Sequence, residues 1–162
     1  MSLPRELRIV DGKLIQTPVS AVYGLRDGEA PADGTLPAAC EIEVTFGGGD
    51  ADFNLFTKAD GTGGLTMHYD AAKGVCTFDK TGMTNRCNEH VGEVLDMPLA
   101  NGLKKLDIFV DRSSVEYFAN DGEATFAAHS YPTAEEFHYT ACGNVQVKIW
   151  KLKASVKDDF VV

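Results

Sequence analysis

Leu106-Asp107-Ile108-Phe109-Val110-Asp111-Arg112-Ser113-Ser114-Val115-Glu116-Tyr117-Phe118-Ala119-Asn120-Asp121-Gly122-Glu123 reads as two short strands joined by a tight turn, with a second turn after them. Successive side chains of a strand point to opposite faces. Leu106, Ile108 and Val110 therefore share one face of the first strand, and Val115, Tyr117 and Ala119 continue it across the hairpin. These six are expected to line a core, with Arg112 and Ser113 in the turn. Asn120, Asp121 and Gly122 suit a second hairpin turn, because all three residue types tolerate positive φ. The opposite face carries Phe109, Glu116 and Phe118. Two phenylalanines are unusual on the side of an antiparallel sheet that commonly meets water. Either a loop or edge of the same chain covers them, or a neighbouring domain packs there and its loss leaves an open apolar patch. On the second reading, Phe109, Glu116 and Phe118 form an interdomain contact.

Outward from this stretch, short β-rich runs broken by Gly, Asp and Asn recur, and helical periodicity is nearly absent. Residues 7–10 and 13–16 form a hairpin across the favoured Asp11-Gly12 turn. Residues 18–23 read as a further strand, and 24–37, with Pro31, Pro37, Asp27-Gly28 and Asp33-Gly34, as a loop. In 38–46, Cys40, Ile42, Val44 and Phe46 alternate with Glu41, Glu43 and Thr45. Residues 53–58 form a strand that is apolar on both sides. Residues 65–69 pair with 75–78, and 81–93 reads as a surface loop. Met97-Pro98-Leu99 leads into the signature hairpins. Thr133-Ala134-Glu135-Glu136 has the capping-box pattern of one helical turn, and 137–142 and 144–153 close the domain as strands. There is no internal repeat and no linker. The pattern predicts an all-β single domain over 1–162, a two-sheet antiparallel β-sandwich of the lectin-like jelly-roll type, with a frayed tail after Lys153.

A chain of 162 residues is long enough for one independent core. Its net charge of −9 argues against nucleic acid, which needs a basic patch. No window approaches the roughly 18 apolar residues of a membrane span, and no apolar stretch of signal-peptide length follows Met1. Cys40, Cys76, Cys87 and Cys142 are widely spaced and form no CxxC, which favours free thiols in a cytoplasmic protein over a disulfide scaffold.

The signature run resembles the C-terminal β-sandwich of glycoside hydrolase family 32, the sucrose-6-phosphate hydrolases and invertases. Other stretches resemble that family in the same order: Leu3-Pro4-Arg5-Glu6-Leu7 with Asp11-Gly12-Lys13-Leu14, Tyr69-Asp70 with Phe78-Asp79-Lys80 and Gly82, His129-Ser130-Tyr131-Pro132, and Val145 through Leu152. Asp79-Lys80-Thr81 departs from the usual Asp-Arg-Ser, and His129-Ser130 from the usual Ser-Arg. The resemblance implies a parent enzyme that cleaves β-fructosidic bonds with retention, in a five-bladed propeller preceding this domain. The family's catalytic motifs are an aspartate in Asn-Asp-Pro-Asn, an aspartate in Arg-Asp-Pro and a glutamate in Glu-Cys. None occurs here: Arg26-Asp27 is followed by Gly28, and Cys40-Glu41 has the reverse order. The implied role is a non-catalytic accessory domain without cofactor or metal. Its implied partners are the propeller of the same chain and a second copy in a homodimer, in the bacterial cytoplasm.

Rival chemistries find less in the residues. A retaining glycosidase needs two carboxyls about 5 Å apart, one with a raised pKa; Asp111 and Glu116 flank one tight hairpin but give no reason for such a shift. Cys87-Asn88-Glu89-His90 has the spacing of a metal-ligand pair but lacks a second pair. No G-x-S-x-G elbow is present, and the Gly47-Gly48-Gly49 and Gly63-Gly64 runs lack the Lys-Ser/Thr of a phosphate loop. The alternative function is a lectin-like module adding affinity for fructose-containing sugars. Against it, Tyr23, Tyr69, Tyr117, Tyr131 and Tyr139 are spread out, and the strand position of Trp150 favours the core.

Overall fold

The structure is a computed structural model that describes residues 3–86 and 92–154. Cys87 to His90, and the tail from residue 155, lie outside the described residues. The elements in chain order are β1 (Arg5–Val10), β2 (Lys13–Pro18), α1 (Ser20–Tyr23), β3 (Arg26–Ala30), β4 (Cys40–Phe46), β5 (Ala51–Thr57), β6 (Thr66–Asp70), β7 (Val75–Asp79), β8 (Val94–Pro98), β9 (Lys105–Asp111), β10 (Ser114–Ala119), β11 (Ala124–His129), β12 (His138–Cys142) and β13 (Val145–Leu152). They build a two-sheet antiparallel β-sandwich. One sheet has the order β11-β10-β9-β4-β13-β3 and the other β12-β5-β6-β7-β8, while β1 and β2 form a separate hairpin.

The alternation in the signature run explains the core. Register pairs Leu106 with Ala119, Ile108 with Tyr117 and Val110 with Val115; β4 adds Cys40, Ile42 and Val44 on the same side. All nine are buried against Phe53, Leu55, Met67, Cys76 and Phe78 of the five-stranded sheet. The two sheets meet through rings. Phe78 stands edge-on to Tyr117, centroids 4.9 Å apart, and stacks flat on Phe126 at 4.0 Å. The apolar character on both sides of β5 comes from a bulge. His138 opposes Thr57 and Tyr139 opposes Leu55, so Phe56 is skipped. It turns through φ 59° and is buried beside its neighbours, as a one-residue insertion in a ladder requires.

Four expectations need correction. Residues 18–23 are not a strand: β2 ends at Pro18 and the chain folds into the single turn α1, which aims Val22 and Tyr23 at the six-stranded sheet. The segment 24–37 is not wholly a loop. Arg26–Ala30 pairs with β13 as an edge strand, where backbone bonding suffices and polar Asp27-Gly28 costs little. Residues 94–98 are a strand, also at an edge, with Pro98 at its end. Thr133 to Glu136 makes the capping-box bond, Thr133 N donating to Glu136 Oε2 at 2.7 Å, but closes a turn rather than a helix.

Candidate functional site

The outer face of the six-stranded sheet carries the side chains that alternate with the core: Glu41 and Glu43 on β4, Asp107 and Phe109 on β9, Glu116 and Phe118 on β10. Phe109, Glu116 and Phe118 do not form an open patch. All three are buried beneath a strap made by the chain's own residues 3–26. Val22 joins the two phenylalanines in one buried cluster, with Leu3, Val19, Tyr23 and Leu152 packed against it. The phenylalanine rings meet edge-to-face at 6.1 Å, and Tyr23 meets Phe109 likewise at 5.9 Å. The expectation that these three side chains meet a neighbouring domain is corrected accordingly: the apolar surface that the alternation left over is closed intramolecularly.

Two ion pairs fasten the strap. Arg5 Nη2 lies 2.6 Å from Glu116 Oε2, and the Leu3 backbone N–H donates to Glu116 Oε1 at 2.5 Å. The Arg5 guanidinium also lies over the Phe118 ring at 5.1 Å and donates to Gln16 Oε1 and Thr125 Oγ1. Arg26 grips Glu41 with both arms, Nε donating to Oε2 at 2.7 Å and Nη2 to Oε1. It lies between Tyr23 and Trp150, 3.9 Å above the latter ring. Trp150 therefore sits half-buried on the outer face, and its placement in the core is corrected. The bidentate, ring-stacked geometry is one that arginine provides and lysine does not.

Asp107 lies between these clamps. Tyr23 Oη donates to its Oδ2 at 2.8 Å, while Oδ1 is buried with no partner. Burial, with the negative Glu41 nearby, pushes its carboxyl up to about 7 against the pull of the Tyr23 hydroxyl. The same burial and the Asp107 charge push the Tyr23 phenol up. A proton on Oδ1 turns an orphaned acceptor into a donor facing a carboxylate. Arg5, Tyr23, Arg26, Glu41 and Asp107 were not legible as a constellation, because Glu41 and Asp107 fall on the phase of their strands that normally meets water.

The turn residues take the backbone that hairpins demand: φ is 50° and 76° at Asp11 and Gly12, and 48°, 56° and 95° at Asn120, Asp121 and Gly122. Asn120 pins the second turn, its Oδ1 accepting from Lys104 and Lys105 N and its Nδ2 donating to Gly102 O and Glu123. Beside it lies an open polar basin lined by Asn101, Lys104, Lys105, Asn120, Asp121 and Glu123. The basin has no aromatic platform, and Asn120 and Glu123 are spent on structure. Tyr69, Tyr117 and Tyr139 are buried, whereas Tyr131 is exposed and stacks on His129. The carboxyls of Asp111 and Glu116 serve different ends: Asp111 accepts from the Arg112 N–H in the exposed turn, and Glu116 holds Arg5 and Leu3. Among the described residues, no three His, Cys, Asp or Glu side chains gather as metal ligands, and no helix is long and apolar enough to cross a membrane.

A jelly-roll-like sandwich whose outer-face carboxyl groups Glu41, Asp107 and Glu116 are committed to an internal strap is the class that fold and face define. Within that class, the family model "Glycosyl hydrolases family 32 C terminal" matches residues 16–156, and the chain belongs to that family as its C-terminal part. The sucrose-6-phosphate hydrolase of Streptococcus mutans is 31% identical over 140 residues, covering 84% of this chain and 29% of its own length. That of Vibrio alginolyticus is 27% identical over 81% of this chain and 27% of its own length. Among solved structures, sucrose-6-phosphate hydrolase from Lactobacillus gasseri superposes with a TM-score of 0.82 at 23% identity, over 92% of this chain and 33% of that one. Exo-inulinase from Aspergillus awamori gives 0.75 at 26% identity, over 95% and 36%. The chain thus spans less than half the length of these relatives, and under a third of the curated sucrose-6-phosphate hydrolases.

Proposed function

We propose that the chain is the non-catalytic supporting sandwich of a β-fructosidase that hydrolyses sucrose or sucrose 6-phosphate. It packs against a catalytic propeller preceding it in the same polypeptide and contributes to dimer contacts. The observation that carries this reading is the fate of the ionisable groups at the family's signature hairpin. Glu116, Asp107 and Glu41 are consumed in holding residues 3–26 to the sheet, and none is left in a cleft with the paired, separately tuned carboxyls that glycoside hydrolysis needs. The absence of the family's three catalytic motifs from the sequence supports the same reading. Unpaired Cys40, Cys76 and Cys142 fit a reducing cytoplasm.

The test is fructose release by the purified chain from sucrose, sucrose 6-phosphate and inulin, with calorimetry on the same sugars. The expected result is neither turnover nor binding heat. Turnover above blank contradicts the supporting role, and saturable heat without turnover replaces it with a sugar-binding one.

A further inference from the structure

We propose that the apolar overhang of the β1–β2 hairpin, formed by Leu7, Ile9 and Leu14, is the seat of the domain that precedes the sandwich in the same polypeptide; this rests on the supporting role proposed above. The register places Leu7 opposite Gln16, Ile9 opposite Leu14 and Arg5 opposite Pro18, so these six side chains share one face of the hairpin. The base of that face is used: Pro18 is buried, and Arg5 reaches Gln16, Glu116 and Thr125. The outer half of the same face is not. Leu7 is 62% exposed, Ile9 79% and Leu14 52%, and no atom approaches within 4 Å of a Cβ built at Gly12 in the tip. The reverse face carries the charges Glu6, Arg8 and Lys13 together with Thr17, half-buried Ile15 and, near the tip, Val10, 48% exposed.

An isolated two-stranded hairpin is marginal in water, and one that meets water on both faces has no reason to align three large aliphatic side chains. Its amphipathic pattern is that of a strand pair with a partner on one side. The course of the chain identifies the partner. The Leu3 N–H is tied to Glu116, so the polypeptide enters the sandwich at the foot of this hairpin, and a domain preceding it in the same polypeptide starts within about one strand length of the apolar half. The matched family model is a C-terminal one, and in the relatives some seven-tenths of the chain lies outside the match. The aliphatic cluster would form a small dry centre of the interface, with Arg8 and Lys13 on the far side as solvated charge.

The experiment compares hydrogen exchange of the β1–β2 amides in the 162-residue chain and in the polypeptide encoded together with its upstream segment, with fructosidase activity of the longer polypeptide measured alongside. The inference predicts exchange slower by about 100-fold or more in the longer polypeptide. It also predicts that Leu7→Ser/Ile9→Ser/Leu14→Ser abolishes this extra protection without shifting the melting temperature of the 162-residue chain. An active longer polypeptide with unprotected hairpin amides overturns the inference but not the supporting role. A longer polypeptide without fructosidase activity overturns both. Protection already present in the 162-residue chain and rising with its concentration assigns the face to a second copy and overturns the inference, as does a lowered melting temperature of the triple variant.

Discussion

Asp107 is the residue whose chemistry departs furthest from its sequence reading. An aspartate on a strand phase shared with Phe109 looked solvent-facing, yet it is buried under Tyr23 with one oxygen unpaired. Its folded pKa of about 7 lies above the ordinary aspartate value of 3.8. The native state therefore holds a proton that the unfolded chain gives up, and the group's contribution to stability falls as pH rises from about 4 to about 7, then levels off. Asp107→Asn keeps an acceptor for Tyr23 and removes the charge. It should melt higher than the wild type at pH 8, by on the order of 1 kcal/mol, and the difference should vanish near pH 4; thermal denaturation across that range measures it. Tyr117 gives a second case. Its hydroxyl is buried without a partner, so Tyr117→Phe, read by urea denaturation, should be neutral or stabilising by up to about 1 kcal/mol. A loss of 2 kcal/mol would mean that the hydroxyl has an acceptor after all.

At the scale of elements, the strap is the part least legible in the sequence. Strands of the sandwich announced themselves by period-two alternation, as in Cys40, Ile42 and Val44 or Leu106, Ile108 and Val110, because one face of each is core. Within the strap only the β1–β2 hairpin showed itself, through Asp11-Gly12 and the runs beside it; the rest gave no such signal. Its single helical turn is too short for periodicity, and β3 and β8 are edge strands whose pairing rests on backbone rather than on side-chain pattern. Phe109 and Phe118 did signal that something covers the outer face, but not that the cover lies 90 residues upstream in the same chain. The ion pair at its foot makes a sharp prediction. Arg5→Met leaves Glu116 buried and unpaired and should cost about 2 kcal/mol, whereas Arg5→Met with Glu116→Leu should recover most of it. A double-mutant cycle by chemical denaturation reads the coupling, and additive losses would mean that the pair does not hold the strap. The strap also touches the second turn, where Gln16 N donates to Gly122 O at 3.0 Å. Gly122 has φ 95°, and a Cβ there would stand 2.3 Å from Gln16 O. Gly122→Val should therefore destabilise by about 2 kcal/mol or more, while an unchanged melting temperature would contradict the turn geometry.

For the molecule as a whole, the sandwich closes its own outer face, leaves much of its exposed aliphatic surface on a projecting hairpin with a smaller share at Val94 and Leu95 of β8, and belongs to a family in which it is the C-terminal part. The proposed role as a support rests on those three facts together, with Glu41, Asp107 and Glu116 engaged in holding the chain's own strap. In the proposed role, the sandwich gives the catalytic part stability rather than chemistry. The direct measurement is thermal inactivation of the longer polypeptide's fructosidase activity with the sandwich present and with it deleted from residue 3 onward. The account predicts that the deleted form inactivates at a clearly lower temperature, or fails to fold, with any surviving activity showing an unchanged KM for sucrose. A deleted form of undiminished thermal stability, or one whose KM alone rises, would contradict it.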